Sequence, residues 1–257
     1  MAAYEWIVVG YFAALTIGAW IALVPMNRRL RASALGAGVL AVLPATLAAS
    51  PGLRAWLPHL YLVAGYWMPA LLVPASPDRR FEEWLRRSDI VWRRSLPTVP
   101  PWLTPLVELA YLLCYPLVPL AFAIVWTYGG RGDVERFWFV VLLSGYCCYG
   151  TLPWLISRPP RLLQAERDES RGALAAINTG VLARVSHEFT TFPSGHVAVA
   201  AAAAAAVAMV SLPAGTMLGV LVAAIAVGAA AGRYHYVMDV FLGLAIAGAA
   251  QVVAAAL

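Results

Sequence analysis

Long apolar stretches separated by short polar ones make up most of this chain. Runs able to cross a hydrocarbon core of about 30 Å fall near 6–26, 34–50, 56–75, 102–127, 136–156, 196–212, 214–231 and 236–256. Uninterrupted runs of that length predict helices, because a helix satisfies its own backbone in lipid. We therefore expect an all-α, polytopic membrane protein with about eight transmembrane helices. The second run is the weakest. It is short, rich in Gly and Ala and contains Pro44, so it reads either as a span or as an interfacial or re-entrant piece. After His196 no charge occurs until Arg233, which is too long for one crossing, and SLPAG at 211–215 supplies the break for a tight hairpin. The alanine run Ala200 to Ala206 suits close helix approach in a membrane.

Two longer polar segments, 76–101 and 157–195, separate these runs. The first, SPDRRFEEWLRRSDIVWRRSLPTVPP, alternates paired arginines with Trp84, Ile90, Val91 and Trp92, as a helix lying in the headgroup layer does. A solvated basic loop is the other reading.

Composition agrees with the pattern: 62% of the 257 residues are hydrophobic and 12% charged, far outside the soluble range. MAAYEWIVVG carries no basic region ahead of its apolar stretch, so we expect no removable signal peptide and a first span that stays in the membrane. Cys114, Cys147 and Cys148 lie inside apolar runs and read as small core residues, which leaves neither a disulfide framework nor a metal set.

Parity of crossings then places three polar islands on one membrane face. RPPR (Arg158 to Arg161) follows the fifth run, FPSGH opens the sixth, and GRYHYVMD (Gly232 to Asp239) opens the last. His235 and Asp239 are four apart, so on a helix the carboxylate accepts from one imidazole nitrogen and leaves the other free and more basic. That arrangement makes a histidine a nucleophile or base. Ser194, Gly195 and His196 stand at a helix start, where free N–H groups and the dipole favour an anion; a plain proline-serine cap accounts for the first two but not for His196. Arg158 and Arg161 suit bidentate phosphate binding, or simply stop transfer at a helix exit. Arg233 is a further candidate. Two histidines from different helices, one oriented by Asp and one beside an anion cradle, suit a nucleophile and a general acid acting on a phosphoester.

In order and membrane context, RPP, FPSGHVA and RYHYVMD resemble the three motifs of the phosphatidic acid phosphatase type 2 superfamily. That superfamily includes membrane lipid phosphatases, glucose-6-phosphatase, soluble vanadium haloperoxidases and the inositol phosphorylceramide synthases. The resemblance covers roughly 100 to 257. It implies a phosphohistidine mechanism with no metal and no cofactor. His235 attacks phosphorus, Asp239 orients it and His196 protonates the leaving oxygen. Arg158, Arg161, Ser194, the Gly195 backbone and Arg233 hold the phosphoryl oxygens. It further implies a six-helix catalytic core, so we divide the chain into N-terminal helices, 1–55, and a catalytic membrane domain, 56–257. Two departures stand out. Thr151 occupies the place of the family's usual Lys in a chain with no lysine, and Ala229 that of a usual Arg.

Three functions follow as expectations. The first is hydrolysis of a lipid phosphomonoester or pyrophosphate; the second is phospho-headgroup transfer of the inositol phosphorylceramide synthase type; the third is a silent lipid-binding scaffold. The expected partners are a lipid phosphate and membrane lipids, with no nucleic acid. Glu108 reads as a structural hydrogen bonder beside Tyr111 and Tyr115, or as a residue shaping the site; His187 and Glu188 as solvated loop residues or substrate contacts; His59 as interfacial. Of the 18 arginines, 15 fall on the motif face and only Arg54, Arg131 and Arg136 on the other. By the positive-inside rule the motif face is then cytoplasmic in a cell membrane.

Overall fold

Proline, glycine and charge decide where the apolar runs start and stop as helices. The computed structural model describes residues 1–74, 78–94, 99–100, 102–163, 172–187, 189 and 192–257. It is all-helical, 80% helix, with no strand among the described residues. The helices are α1 (Ala3–Ile21), α2 (Met26–Leu47), α3 (Pro51–Trp56), α4 (Pro58–Trp67), α5 (Arg80–Arg94), α6 (Thr104–Leu112), α7 (Cys114–Tyr128), α8 (Arg131–Tyr149), α9 (Gly172–Val185), α10 (Gly195–Val210), α11 (Leu212–Ala231) and α12 (Val237–Ala255). Short 3₁₀ turns follow α4 at Pro69–Leu72 and precede α9 at Pro160–Leu163.

Among the described residues four helices, α1, α2, α11 and α12, are long and apolar enough to cross a membrane. A fifth span results if the bent pair α6 and α7 counts as one. Exposed Leu212, Met217 and Val220 give α11 the apolar exterior that a bilayer requires.

The remaining predicted runs differ from the helices found, each for a local reason. The run at 34–50 belongs to one continuous helix that begins at Met26, takes in the arginines after it and runs through Pro44. The run at 56–75 shortens to α4, ten residues, because Pro58 starts a new helix and Pro69 tightens its exit into a 3₁₀ turn. The run at 102–127 breaks at Leu113 with a 55° bend. Pro116 has no N–H to donate to the Leu112 carbonyl, so the ladder cannot pass through. The run at 136–156 becomes α8, which starts in the charged turn at Arg131 and ends at Gly150. The hairpin break falls at Ser211, which caps both α10 and α11.

At the centre stands α10, packed against α7, α8, α11 and α12. Its alanines let four neighbours approach at once, and Val197, Ala198, Ala202, Ala203 and Val207 are fully buried. Around it, α8 is interior as well, with Phe137, Trp138 and Val140 to Leu142 removed from the surface. The N-terminal helices join the same bundle, since α1 and α4 pack on α8. A buried pair ties them: Arg54 donates through Nε and Nη2 to the Glu5 carboxylate at 2.8 and 2.7 Å. A carboxylate that is 1% exposed needs such a fork.

The bundle therefore has two chemically different ends. At one lie Arg54, the charged start of α8 and the end of α12, where Arg136 donates to the Ala254 carbonyl at 3.1 Å. At the other lie the start of α10, the start of α12 and the Arg28 guanidinium, which donates to the Val73 carbonyl at 3.0 Å.

Candidate active site

The turn before α10 is fixed from two sides. Ser194 caps the helix, its Oγ accepting from the Val197 N–H at 3.4 Å, and its own N–H donates to the Asp239 carbonyl at 3.0 Å. From the turn just after α8, the Thr151 hydroxyl donates to the Phe192 carbonyl. Thr151 thus spends its hydroxyl on the turn. Gly195 is required by a close approach: a Cβ there would stand 2.2 Å from a Tyr149 ring carbon.

The loop from α11 to α12 presents the second half. Arg233 adopts a left-handed backbone, φ 57°, which swings the chain so that the His235 N–H donates to the Ala229 carbonyl at 2.9 Å. Asp239, in the first turn of α12, accepts the Tyr236 N–H at 3.1 Å on Oδ2. The same oxygen faces His235 Nδ1 at 3.4 Å. Both side chains are buried, and burial pushes the His235 imidazole down to about 3, so it is neutral at neutral pH. With Nδ1 toward the carboxylate, Nε2 carries the free lone pair.

His196 completes the pair. Its ring centroid lies 5.8 Å from that of His235, with the planes at 63°. An aromatic wall surrounds it: Tyr115, Tyr111 and Tyr66 have centroids 5.6, 6.0 and 6.3 Å away. Two imidazoles at this separation can address one phosphoryl group from opposite sides.

The arginines have distinct surroundings. Arg158 donates through Nε at 3.0 Å, Nη2 at 2.9 Å and its backbone N–H at 2.8 Å to the Glu82 carboxylate. Burial acts to raise Glu82, but the Arg158 hydrogen bonds and charge outweigh it and hold the carboxyl below its ordinary value. The same bonds raise Arg158. The Arg158 carbonyl accepts from the Tyr236 hydroxyl at 3.1 Å. Arg161 instead lays its guanidinium over the Tyr234 ring, 4.4 Å from the centroid, and its backbone N–H donates to the Arg233 carbonyl at 3.1 Å. All three polar islands thus meet at one end of the bundle: His196 faces His235, Asp239 backs His235 and accepts the Ser194 N–H on its carbonyl, Arg161 joins the Arg233 backbone in the loop that carries His235, and Arg158 is turned to α5.

Residues that the sequence reading did not single out hold the site in place. Helix α5 turns Glu82, Leu85 and Asp89 inward, with Trp84, Ile90, Val91 and Trp92 exposed. Asp89 Oδ1 accepts the first N–H of α12, that of Val237, at 2.9 Å, and Oδ2 pairs with Arg93. The signal was present as acidic residues three and four positions either side of Leu85, one helical face. Residues 76–77, 95–98 and 101 of the predicted interfacial segment lie outside the described residues, as does Glu188. Glu108, 3% exposed, accepts from Asn178 Nδ2 at 2.6 Å and from the Tyr234 hydroxyl. Its partners are therefore Asn178 and Tyr234. His187 stacks on Tyr66 at 4.5 Å and burial pushes it down to about 4, so aromatic packing replaces the solvated position expected of it. His59 stacks on Trp56 on the Arg54 side of the bundle. Among the described residues no group of three or more His, Cys, Asp or Glu is arranged to hold a metal ion.

Fold and site together define a helical, membrane-type protein with a His, His, Asp cluster at one end of its bundle. The PAP2 superfamily model matches residues 136–257, from within α8 to the end of the chain, and takes in all three polar islands. Members of that superfamily are phosphatases or related phosphotransferases. The matched region leaves out Glu82 and Asp89. No curated protein and no solved structure matches the chain.

Proposed function

We propose that this protein is a membrane lipid phosphatase of the PAP2 superfamily that works through a phosphohistidine on His235. The observation that carries the reading is the pair of imidazoles 5.8 Å apart, one of them backed by Asp239. His235 Nε2 attacks phosphorus while Asp239 accepts the Nδ1 proton's hydrogen bond and stabilises the charge that develops. The bond from phosphorus to the leaving oxygen breaks, and His196 supplies that oxygen's proton. Substrate charge beside His196 favours its protonated form, so binding prepares the acid. Water, activated by the same imidazole, then cleaves the nitrogen–phosphorus bond. Arginines and the Ser194–Gly195 turn hold the phosphoryl oxygens.

A lipid substrate is supported by a groove of about 640 Å³ beside the Arg233 loop. Val107, Val227, Phe241 and Leu244 give it apolar walls, and Arg93 and Arg233 give it cationic ground for a headgroup. The same groove has room for a lipid alcohol as acceptor, which supports headgroup transfer as the second reading. We take the chain to cross a cell membrane eight times, around a six-helix core, with the site end cytoplasmic, as the arginine distribution favours.

The test is phosphate release from a panel of lipid phosphates and pyrophosphates, with chelator present, by wild type and His235→Ala. Wild type turns over at least one of them and the variant, still folded, loses more than about 10³-fold. In sealed vesicles, release follows substrate presented on the cytoplasmic leaflet. A variant that keeps its rate, or activity that the chelator abolishes, contradicts the mechanism; release only with an added lipid alcohol turns the reading to transfer.

A further inference from the structure

Helix α5 has two faces of opposite character. Its inner face holds the catalytic loop at both ends: Asp89 Oδ1 accepts the Val237 N–H at the head of α12 at 2.9 Å, and Arg93 Nη1 donates to the Ala230 carbonyl at the end of α11 at 2.9 Å. Asp89 and Arg93 also pair with each other, so a single ion pair bridges the two ends of the loop that carries His235. Leu85, fully buried, clusters with Phe192, which precedes the α10 cap, and with Tyr236, which follows His235. Glu82 adds its bonds to Arg158. The inner face therefore reaches both histidine-bearing segments, and both of its carboxylates are turned into the bundle.

The outer face is basic and aromatic. Trp84, Ile90, Val91 and Trp92 are exposed, and so are Arg80, Arg86, Arg87 and Arg94. Arg80 and Arg87 lie beside Asp78 and Glu83, pairs that water screens, and among the described residues Arg86 and Arg94 form no ion pair. Depth is set by α12. Trp92 lies against Phe241, with ring centroids 5.9 Å apart, and Phe241 is an exposed residue in the second turn of a helix long and apolar enough to cross a membrane. Helix α5 thus lies at the edge of the apolar exterior of α12, where the headgroups of a bilayer begin. Tryptophan and arginine are the residue types that settle there.

We propose that α5 is a sensor of anionic lipid: its outer face seats on an anionic headgroup layer and its inner face passes that seating to the His235 loop, so that anionic lipid other than the substrate raises turnover. The occupant follows from charge, since each exposed arginine adds attraction to a negative surface. The orientation follows from polarity. With Glu82 and Asp89 on one face and the exposed arginines on the other, an anionic surface favours the placement that keeps both carboxylates toward Arg158 and Val237. A helix rolled over would press them against like charge, so lipid distinguishes the two states. Seated, α5 holds Ala230 and Val237 together; released, it frees both, and His235 between them loses its fixed place opposite His196. The effect on turnover rests on the phosphatase reading above, whereas the docking of α5 does not.

The test places full-length protein singly in nanodiscs of phosphatidylcholine alone or of phosphatidylcholine with phosphatidylglycerol. Hydrogen exchange read by mass spectrometry follows the amides of Arg80–Arg94. Turnover is measured at saturation with a short-chain, water-soluble lipid phosphate, so that the disc supplies no substrate and its surface charge acts on KM rather than kcat. In wild type, phosphatidylglycerol slows exchange in α5 and raises kcat about fivefold or more. Arg86→Gln/Arg87→Gln/Arg94→Gln keeps the kcat seen in neutral discs and loses most of both responses. Asp89→Asn, which breaks the inner pair and leaves the outer face intact, keeps the exchange response but loses the rise in kcat, with KM unchanged. Equal exchange and equal kcat in the two discs overturns the proposal, as does a triple variant that responds like wild type. Slowed exchange without a rise in kcat overturns the coupling to the loop. Exchange that slows only with two copies per disc gives the face to a second copy and overturns the lipid assignment. If no substrate releases phosphate in either disc, the phosphatase reading fails, and exchange in α5 still decides the docking.

Discussion

A histidine, an aspartate and a second histidine were legible at the residue scale because their chemistry is written in spacing. Asp239 lies in the first turn of α12 and His235 in the loop just ahead of it, so the shared helix turn expected from their spacing is replaced by a helix start facing its own loop, and His196 follows a cap. What spacing cannot give is the partner of each charge. Arg158 and Glu82 are 76 positions apart, and nothing local in RPPR or FEEW announces that they meet. The pair has a pH signature. Glu82 is held below its ordinary value of 4.5 in the folded chain, so the unfolded chain binds more protons as pH falls toward and below that value. The stability that Glu82 contributes is complete above about pH 4.5 and is lost as pH falls through its lower, folded value. Melting temperatures of wild type and Glu82→Gln should therefore differ by a constant amount from pH 8 to 5 and converge in more acidic buffer. A difference that instead grew on acidification would show that the carboxylate is not the stabilising form.

At the scale of elements, hydrophobic run length located most helices, since lipid and core both demand continuous apolar segments. Their interruptions were less legible. The break at Leu113 depends on Pro116 lacking a donor within a run that is apolar on both sides. Helix α5 was legible as amphipathic but not as inward-facing acidic, because its arginines and tryptophans dominate the pattern. The contact between α12 and the α10 cap depends on one glycine: a Cβ at Gly243 would lie 2.7 Å from the Ser194 carbonyl oxygen. Backbone on both sides leaves nothing flexible to yield. Gly243→Ala should push α12 away from Ser194 and shift Asp239 relative to His196. We expect a loss on the order of tenfold to a hundredfold in kcat with helix content retained by circular dichroism. Wild-type kcat in that variant would mean that the two helix starts are not held as tightly as the geometry requires.

For the whole molecule, parity along the sequence put three islands on one face, and the bundle brings them to one end, with Arg54 and Arg136 at the other. That much of the site's assembly was readable from run counting alone, even though several runs resolve into shorter or bent helices. The inner brace from α5, outside the region that the superfamily model matches, was not. The account as a whole stands on a covalent step at His235, and the direct measurement is to catch it. Protein mixed with a lipid phosphate labelled in its phosphoryl group, quenched in base, digested and read by mass spectrometry should carry the label on the peptide containing His235. The label should survive alkali, vanish in acid and be absent from His235→Ala. Turnover with no labelled peptide, or label on a residue other than His235, would contradict the account.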